Sequence, residues 1–381
     1  MEKFDVVIIG GGASGLVCAN LLCDVCNLAI IEKMDRVGKK ILATGNGRCN
    51  LTNLNIDSIF YNRDLSAFFQ RFSQKENLRF FEDCGLLTYA DECGRVYPFS
   101  NSATSVLDIL RAKPEKNATI LLGQDVKCIK KVDGKFFIKT SEKEIVTRFC
   151  VIATGGNSAR EISHNIHTGF VPCTRSLVSL KTQNNKGLNG VRVDNVTAKI
   201  DGTNICESGE ILFKDNAISG ILVFNLSAHL ARRKNYEACI SVDFMPQIMY
   251  DDLVKILSMR KVKFENILIG VFHNALSKNL LEKAGCYDGC KTQNDVINLA
   301  KTIKDYKIKT FAPMENNQVY SGGVDMDSVN ADLMSKETEN LFFTGECLDV
   351  DGVCGGYNLQ WASTSAMIVA SAIAREIECY K

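Results

Sequence analysis

Phe4-Asp-Val-Val-Ile-Ile-Gly-Gly-Gly-Ala-Ser-Gly-Leu-Val17 is the stretch that decides the fold. Apolar residues up to Ile9 run into Gly10-x-Gly12-x-x-Gly15, and helix-like sequence continues to about Leu22. Strand, glycine turn and helix in that order are what a dinucleotide pyrophosphate requires. Gly10 permits the tight turn, and Gly12 leaves no side chain between backbone and phosphate. Gly15 lets the helix lie close on the strand, so that the N–H groups around Ala13 and Ser14 face the anion. Leu28-Ala-Ile-Ile-Glu32 then reads as a second strand ending in an acid that accepts hydrogen bonds from a ribose 2′-hydroxyl.

Composition suits an enzyme of this kind. The 381 residues predict two or three domains, and 46% hydrophobic with 23% charged residues is ordinary for a globular chain. Forty-five basic against forty-four acidic side chains leave a net charge of +1, so no basic excess points to nucleic acid or an anionic membrane. No apolar run reaches the ~18 to 20 residues of a membrane span, and the N-terminus enters a strand directly, which predicts a cytoplasmic protein. Sixteen cysteines are then expected as reduced thiols. Cys23-x-x-Cys26 and Cys286-x-x-x-Cys290 have metal-like spacing without the flanking His or Cys array of a zinc or cluster site, so no metal is expected.

After Glu32 the chain carries Lys33-Met-Asp-Arg-Val-Gly-Lys-Lys-Ile-Leu-Ala-Thr-Gly-Asn-Gly-Arg-Cys-Asn-Leu-Thr-Asn53. This run is placed to follow a cofactor from ribose through pyrophosphate toward its reactive ring, with Lys33, Lys40, Thr44, Gly45, Gly47, Arg48, Cys49 and Asn50 as candidate contacts. Backbone N–H groups and the Arg48 guanidinium suit phosphate or an electron-rich ring edge. The combination of GGGASG, GKKILATGNGRCNLTN and, near the far end, GECLDVDGVCGGYNLQWA resembles the BaiN-like, or YhiN-type, family of FAD-dependent oxidoreductases, also labelled aminoacetone oxidase-type. The resemblance spans essentially the whole chain. It implies tightly held FAD rather than free NAD, on a Rossmann-like α/β domain of the two-dinucleotide-binding type with an inserted β-barrel-like domain and a small helical lid.

Leu65, Phe68, Phe69 and Phe72 follow helical spacing and predict one amphipathic helix over 65–77, with an aromatic stripe that belongs to a core. Tyr89 to Ser100 is turn-rich. The resemblance puts it on the substrate side, with Arg95, Tyr97 and Ser100 as pocket candidates and ordinary loop packing as the equal alternative. From Thr119 to Ala153 the period becomes two, predicting a meander over 120–122, 126–132, 136–140 and 145–153. Val126 opens the strand that, in similar flavoproteins, offers backbone bonds to adenine. Thr154-Gly155-Gly156 lets the backbone approach FAD again. Many family members carry a longer glycine-rich loop next, whereas residues 157–174 here hold little glycine.

Short alternating runs from 175 to 249 and at 306–319 predict the barrel-like insert, and helical spacing at 250–305 predicts a compact helical subdomain. The FAD-binding domain then comprises 1–174 and 320–381. Its last part brings Gly345-Glu346, then Asp349 and Asp351, then Gly355-Gly-Tyr-Asn-Leu-Gln360 opening a long helix. A glycine pair at a helix start presents N–H groups to an electron-rich atom, a role that fits Gly355, Gly356, Tyr357, Asn358 and Leu359 at the N1 and C2 carbonyl side of a flavin. Asp351 is a candidate for the ribityl or pyrophosphate region, or a turn residue.

Cys49 lacks the second cysteine a few residues on that a dithiol relay needs, leaving a reactive thiol or a small loop residue. His164, His167, His229 and His273 fall in no motif. Arg48, Tyr97 and Tyr357 are the candidate catalytic residues, one of them donating the proton. The expected function is an FAD oxidoreductase moving a hydride between flavin N5 and a small apolar or carbonyl-bearing metabolite. Within the resembling family some members reduce carbon–carbon double bonds of bile-acid intermediates, which implies an NAD(P)H-dependent reductase, and others are named for amine oxidation. A single glycine fingerprint makes NAD(P)H a transient visitor. A tRNA-associated flavoprotein and a sensor that holds FAD without turnover remain alternatives, and the oligomeric state is open.

Overall fold

The computed structural model describes residues 1–156, 158, 168–183, 185, 187–286 and 292–379. His164, His167 and Cys290 lie outside the described residues, as does most of the glycine-poor stretch after Gly156. The chain forms two compact units, Met1–Thr174 with Val319–Lys381, and Arg175–Gln318.

The first unit starts with β1 (Glu2–Ile9), α1 (Ala13–Leu22) and β2 (Leu28–Ile31). All four residues of β2 are buried, as expected of a strand covered on both faces of a parallel sheet. A short helix α2 (Lys39–Leu42) leads to β3 (Thr52–Asn53), α3 (Ser66–Arg71), α4 (Gln74–Asp83), β4 (Thr88–Ala90) and β5 (Arg95–Pro98). Next come α5 (Ala103–Ala112), α6 (Pro114–Asn117), β6 (Thr119–Leu121), β7 (Val126–Val132), β8 (Lys135–Thr140) and β9 (Glu144–Ile152).

Among the described residues one sheet has the order β6-β2-β1-β9-β8-β7. It is completed by β16 (Leu341–Phe343), which pairs in parallel with β9. β1 lies between β2 and β9 in parallel, with Val6 opposite both Leu28 and Phe149. β3, β5 and β4 form a separate antiparallel sheet. A long helix, Tyr357–Glu378, closes the unit and runs buried against α1.

The single helix expected over 65–77 is two. α3 stops at Arg71, and Ser73 restarts the chain as α4 through a capping box. The Ser73 hydroxyl accepts from Lys75 N–H at 3.1 Å, and Glu76 accepts from Ser73 N–H at 2.8 Å.

In the second unit, β10 (Phe170–Thr182), β11 (Arg192–Ile200), β12 (Cys206–Lys214), β13 (Ala217–Ser219), β14 (Ala238–Asp243) and β15 (Tyr306–Val324) close into a barrel, β10 and β15 running on from the first unit. The helix α7 (Ile221–Arg232) was not apparent in the sequence. Its start, Ile-Leu-Val-Phe, is a strand-like apolar run, and Gly220 at φ 101° turns it into a helix that packs on β12. Three further helices follow, α8 (Tyr250–Met259), α9 (Asn274–Lys283) and α10 (Gln293–Lys304). Their buried leucines share one hydrophobic cluster with the barrel strands, so barrel and helices form a single core. The long helix Tyr357–Glu378 is α11. No helix among the described residues is long and apolar enough to cross a membrane.

Candidate functional site

Among the described residues three helices of the first unit begin at glycines with no side chain capping their N–H groups: α1 at Gly12, the four-residue α2 at Gly38 and α11 at Gly356. α4 and α5, by contrast, carry serine caps at Ser73 and Ser102. Uncapped N-termini leave donors and the positive end of the helix dipole open to a ligand.

The glycine turn is built by contact. Gly10 has φ 111°, and a Cβ there would lie 2.4 Å from the Ala153 carbonyl. One on Gly15 would lie 2.0 Å from the Gly10 carbonyl. A Cβ on Gly12 would meet no protein atom within 4 Å, so that position is open for a ligand. Both oxygens of Glu32 accept backbone N–H groups at 2.8 Å, Oε2 from Gly11 and Oε1 from Met34. Each oxygen keeps a lone pair for a ribose hydroxyl. Val126 opens β7 at the edge of the sheet.

Ser14 is turned inward, donating to the Thr344 carbonyl at 3.4 Å, and its hydroxyl would lie 2.6 Å from a Cβ on Gly345. Gly345 donates to Ser365 Oγ at 2.8 Å and accepts from Trp361 Nε1 at 3.2 Å, which gives the lone tryptophan a packing role. Glu346 bonds Lys40 at 2.5 Å and the Tyr320 N–H at 2.6 Å, while Lys33 pairs with Asp125 at 3.5 Å. Gly155 has φ 77°, Gly156 abuts Tyr320, and the Thr154 hydroxyl is buried without a hydrogen-bond partner.

The loop from Thr44 to Asn50 is wound left-handed. Gly45, Asn46, Gly47 and Cys49 all have positive φ, and the Thr44 hydroxyl donates to the Ile41 carbonyl at 2.6 Å. This turns Arg48 outward, where its guanidinium lies over the Tyr97 ring at 4.6 Å. Cys49 points inward and is buried. Burial raises its thiol to about 11 against a Thr44 hydrogen bond, so a reactive thiolate is not formed at neutral pH. Ala13, Cys49 and Leu359 line a narrow apolar crevice.

At α11, Gly356 has φ 98°, and a Cβ there would meet the Thr52 carbonyl at 2.4 Å and Asn50 Oδ1 at 2.9 Å. That Asn50 oxygen is buried without a hydrogen-bond partner. Asn53, missed among the site residues although it ends the quoted loop, donates to the Gly355 carbonyl at 3.1 Å. Asn358 uses its side chain on both backbone groups of Gly352 at 2.9 Å, so it shapes the turn. Asp351 is buried, with its main chain bonded to Asn62. Tyr97 and Tyr357 are also buried, and burial raises both phenols. Arg95 pairs with Asp91 at 2.8 Å, and Ser100 is exposed. Of the three candidate catalytic side chains, Arg48 alone is exposed. The open Gly12 position, the uncapped glycine starts of α1 and α11, and the partnerless polar atoms of Asn50 and Thr154 fit FAD.

The HI0933-like protein Rossmann domain family matches residues 4–372. The chain belongs to this family. It is 32% identical to the 3-dehydro-bile acid delta(4,6)-reductase of Clostridium scindens, over 96% of this chain and 98% of that protein. It is 27% identical to the ribosomal RNA dihydrouridine synthase of Escherichia coli, over 97% and 98%. The solved 3-ketosteroid delta1-dehydrogenase of Sterolibacterium denitrificans aligns over 99% of this chain and 100% of its own at 13% identity, with a TM-score of 0.49. As a member of this family the chain is an FAD-dependent oxidoreductase with a Rossmann-like domain and a closed barrel.

Proposed function

We propose that the chain reduces a carbon–carbon double bond conjugated to a carbonyl in a small apolar metabolite, with NAD(P)H as transient electron donor. The observation that carries this is the outward Arg48 guanidinium, seated on the Tyr97 ring at 4.6 Å at the end of a left-handed loop. A fixed guanidinium can donate two hydrogen bonds to a carbonyl oxygen and stabilise the charge that builds there as the double bond accepts hydride. The names of two relatives point the same way, since a delta(4,6)-reductase and a dihydrouridine synthase both saturate such bonds.

In this reading the N–H groups after Gly12 hold the pyrophosphate, and Glu32 accepts the ribose hydroxyls. Gly355, Gly356 and Tyr357 present N–H groups to the electron-rich side of the ring. When bound, FAD supplies the two-electron hydride carrier. Tyr97 seats Arg48. Tyr357, as a phenol, is protonated at neutral pH and burial raises it further, so it can give a proton and does not take one. A reducing, cytoplasmic setting belongs with this reading, supported by fifteen free cysteines among the described residues.

Alternatively the double bond belongs to a uridine in RNA, which the relative named ribosomal RNA dihydrouridine synthase favours and the balance of 45 basic against 44 acidic residues opposes.

The test is anaerobic spectroscopy. NADH or NADPH should bleach the flavin absorbance of the purified protein, and an α,β-unsaturated ketone should restore it. Arg48→Ala should keep FAD and the bleaching step but slow the return by about a hundredfold. A yellow protein that neither nucleotide bleaches refutes the reductase reading. Salt-dependent binding of a uridine-rich RNA would favour the alternative.

A further inference from the structure

Four polar side chains, Thr52, Asn77, Gln360 and Thr364, are completely buried behind the first turn of α11. They come from β3, α4 and α11, distant in the chain. The Thr52 hydroxyl donates to Gln360 Oε1 at 2.5 Å, and Asn77 Nδ2 donates to the same oxygen at 2.9 Å. Gln360 Nε2 in turn donates to Thr364 Oγ1 at 2.9 Å, and that hydroxyl donates to the Phe72 carbonyl at 2.9 Å. Apolar side chains would fill this space at lower desolvation cost, so the network specifies position more than it adds stability.

What it positions is the glycine start of α11. The carbonyl of Thr52 is the atom that a Cβ on Gly356 would strike at 2.4 Å, so Thr52 touches the helix cap with its backbone and Gln360 with its side chain. Gln360 N–H donates to the Gly356 carbonyl at 3.0 Å, closing the first turn on the same residue. The Tyr61 hydroxyl, donating to the Tyr357 carbonyl at 2.8 Å, and Asn53 on Gly355 hold the flanks. No side chain caps the helix, so its first N–H groups are fixed in direction and open.

We propose that Gln360, clamped by Thr52 and Asn77, is a positioning residue that raises the reduction potential of bound FAD by aiming the N–H groups at the α11 start toward the ring atoms that gain charge on reduction. This rests on the flavin placement proposed above. Oriented donors and a helix dipole favour the reduced, more negative cofactor only while their direction is held. Loosening the clamp therefore weakens binding of reduced FAD more than of oxidised FAD.

The experiment is the two-electron midpoint potential of FAD bound to the full chain, by spectroelectrochemistry, in wild type, Thr52→Val, Thr52→Ser and Gln360→Leu. Thr52→Val keeps shape and removes the donated hydrogen bond. It should cost about tenfold in the preference for reduced over oxidised FAD, a fall of about 30 mV for a two-electron couple. Gln360→Leu should fall further, and Thr52→Ser should return to the wild-type potential. If Gln360→Leu does not fold, the threonine pair decides. A wild-type chain that takes up no FAD sinks the flavin placement and this inference together. FAD-loaded variants with the wild-type potential, or Thr52→Ser falling as far as Thr52→Val, overturn the inference alone.

Discussion

Arg48 and Cys49 are neighbours in sequence with opposite surroundings. Positive φ at Gly45, Asn46, Gly47 and Cys49 winds the loop so that the guanidinium faces out and the thiol faces in. The sequence marked both as site candidates and left open whether Cys49 is reactive. The thiol is buried, and burial raises it to about 11, which favours the small loop residue. At pH 8 iodoacetamide should therefore label the exposed Cys93, Cys206 and Cys379 within minutes and leave Cys49 unmodified, as read by peptide mass spectrometry of the folded protein. Rapid labelling of Cys49 would contradict its burial.

Glu32 makes a second residue-scale case. Its place at the end of β2 was readable, but the two N–H groups on its oxygens were not. Glu32→Gln turns one acceptor into a donor facing an N–H. It should weaken FAD binding about tenfold and destabilise the apo chain by roughly 1–3 kcal/mol in denaturant titration.

At the scale of elements, the fingerprint glycines do different work. Gly15 is required by contact between α1 and the turn after β1, whereas a Cβ on Gly12 would meet no protein atom within 4 Å. Gly12→Ala should melt within about 2 °C of wild-type apoprotein yet lose FAD binding by tenfold or more, since its methyl group meets only the ligand. Gly15→Ala should unfold at clearly lower denaturant, by roughly 3 kcal/mol, because a carbonyl stands where its Cβ must go. Equal stability losses in the two would contradict this division. Elements also show where pattern reading stopped. The aromatic spacing at Leu65 to Phe72 was correct for packing, and the Ser73-x-x-Glu76 capping signal that splits the helix was present in the sequence but outweighed by periodicity. At Ile221 a short apolar run is the same in a strand and in a buried helix, and only packing on β12 separates them.

Across the whole molecule, buried acids set the alkaline limit. Burial raises Cys49 and Cys354 to about 11, and Cys347 and Tyr306 to about 12. Below about pH 8 these groups are protonated in both folded and unfolded chains, and their contribution to stability is fully present. As pH climbs from about 8 toward 11 it is chiefly the unfolded chain that ionises. Each pH unit over which one group stays protonated in the folded chain alone then removes up to about 1.4 kcal/mol. The apparent Tm should fall by at least about 5 °C between pH 8 and pH 10.5, and a Cys49→Ala, Cys347→Ala, Cys354→Ala variant should show a shallower fall. A flat profile over that range would mean these thiols are solvated.

The sequence by itself determined the dinucleotide-binding strand, turn and helix, the acid at Glu32, the existence of the barrel, and the two glycine-rich motifs near residues 45 and 355. Each of these is local: a period, a spacing, or a backbone conformation that only glycine adopts cheaply. Tertiary structure alone decided which candidates meet and how they are engaged. It set Arg48 on Tyr97, pairs Lys40 with Glu346, spends the Asn358 side chain on Gly352, and buries Gln360 between Thr52 and Asn77. Those partners lie up to 308 residues apart. Hydrogen bonds and burial depend on distance in space, which a linear pattern carries only where neighbours in space are also neighbours in the chain.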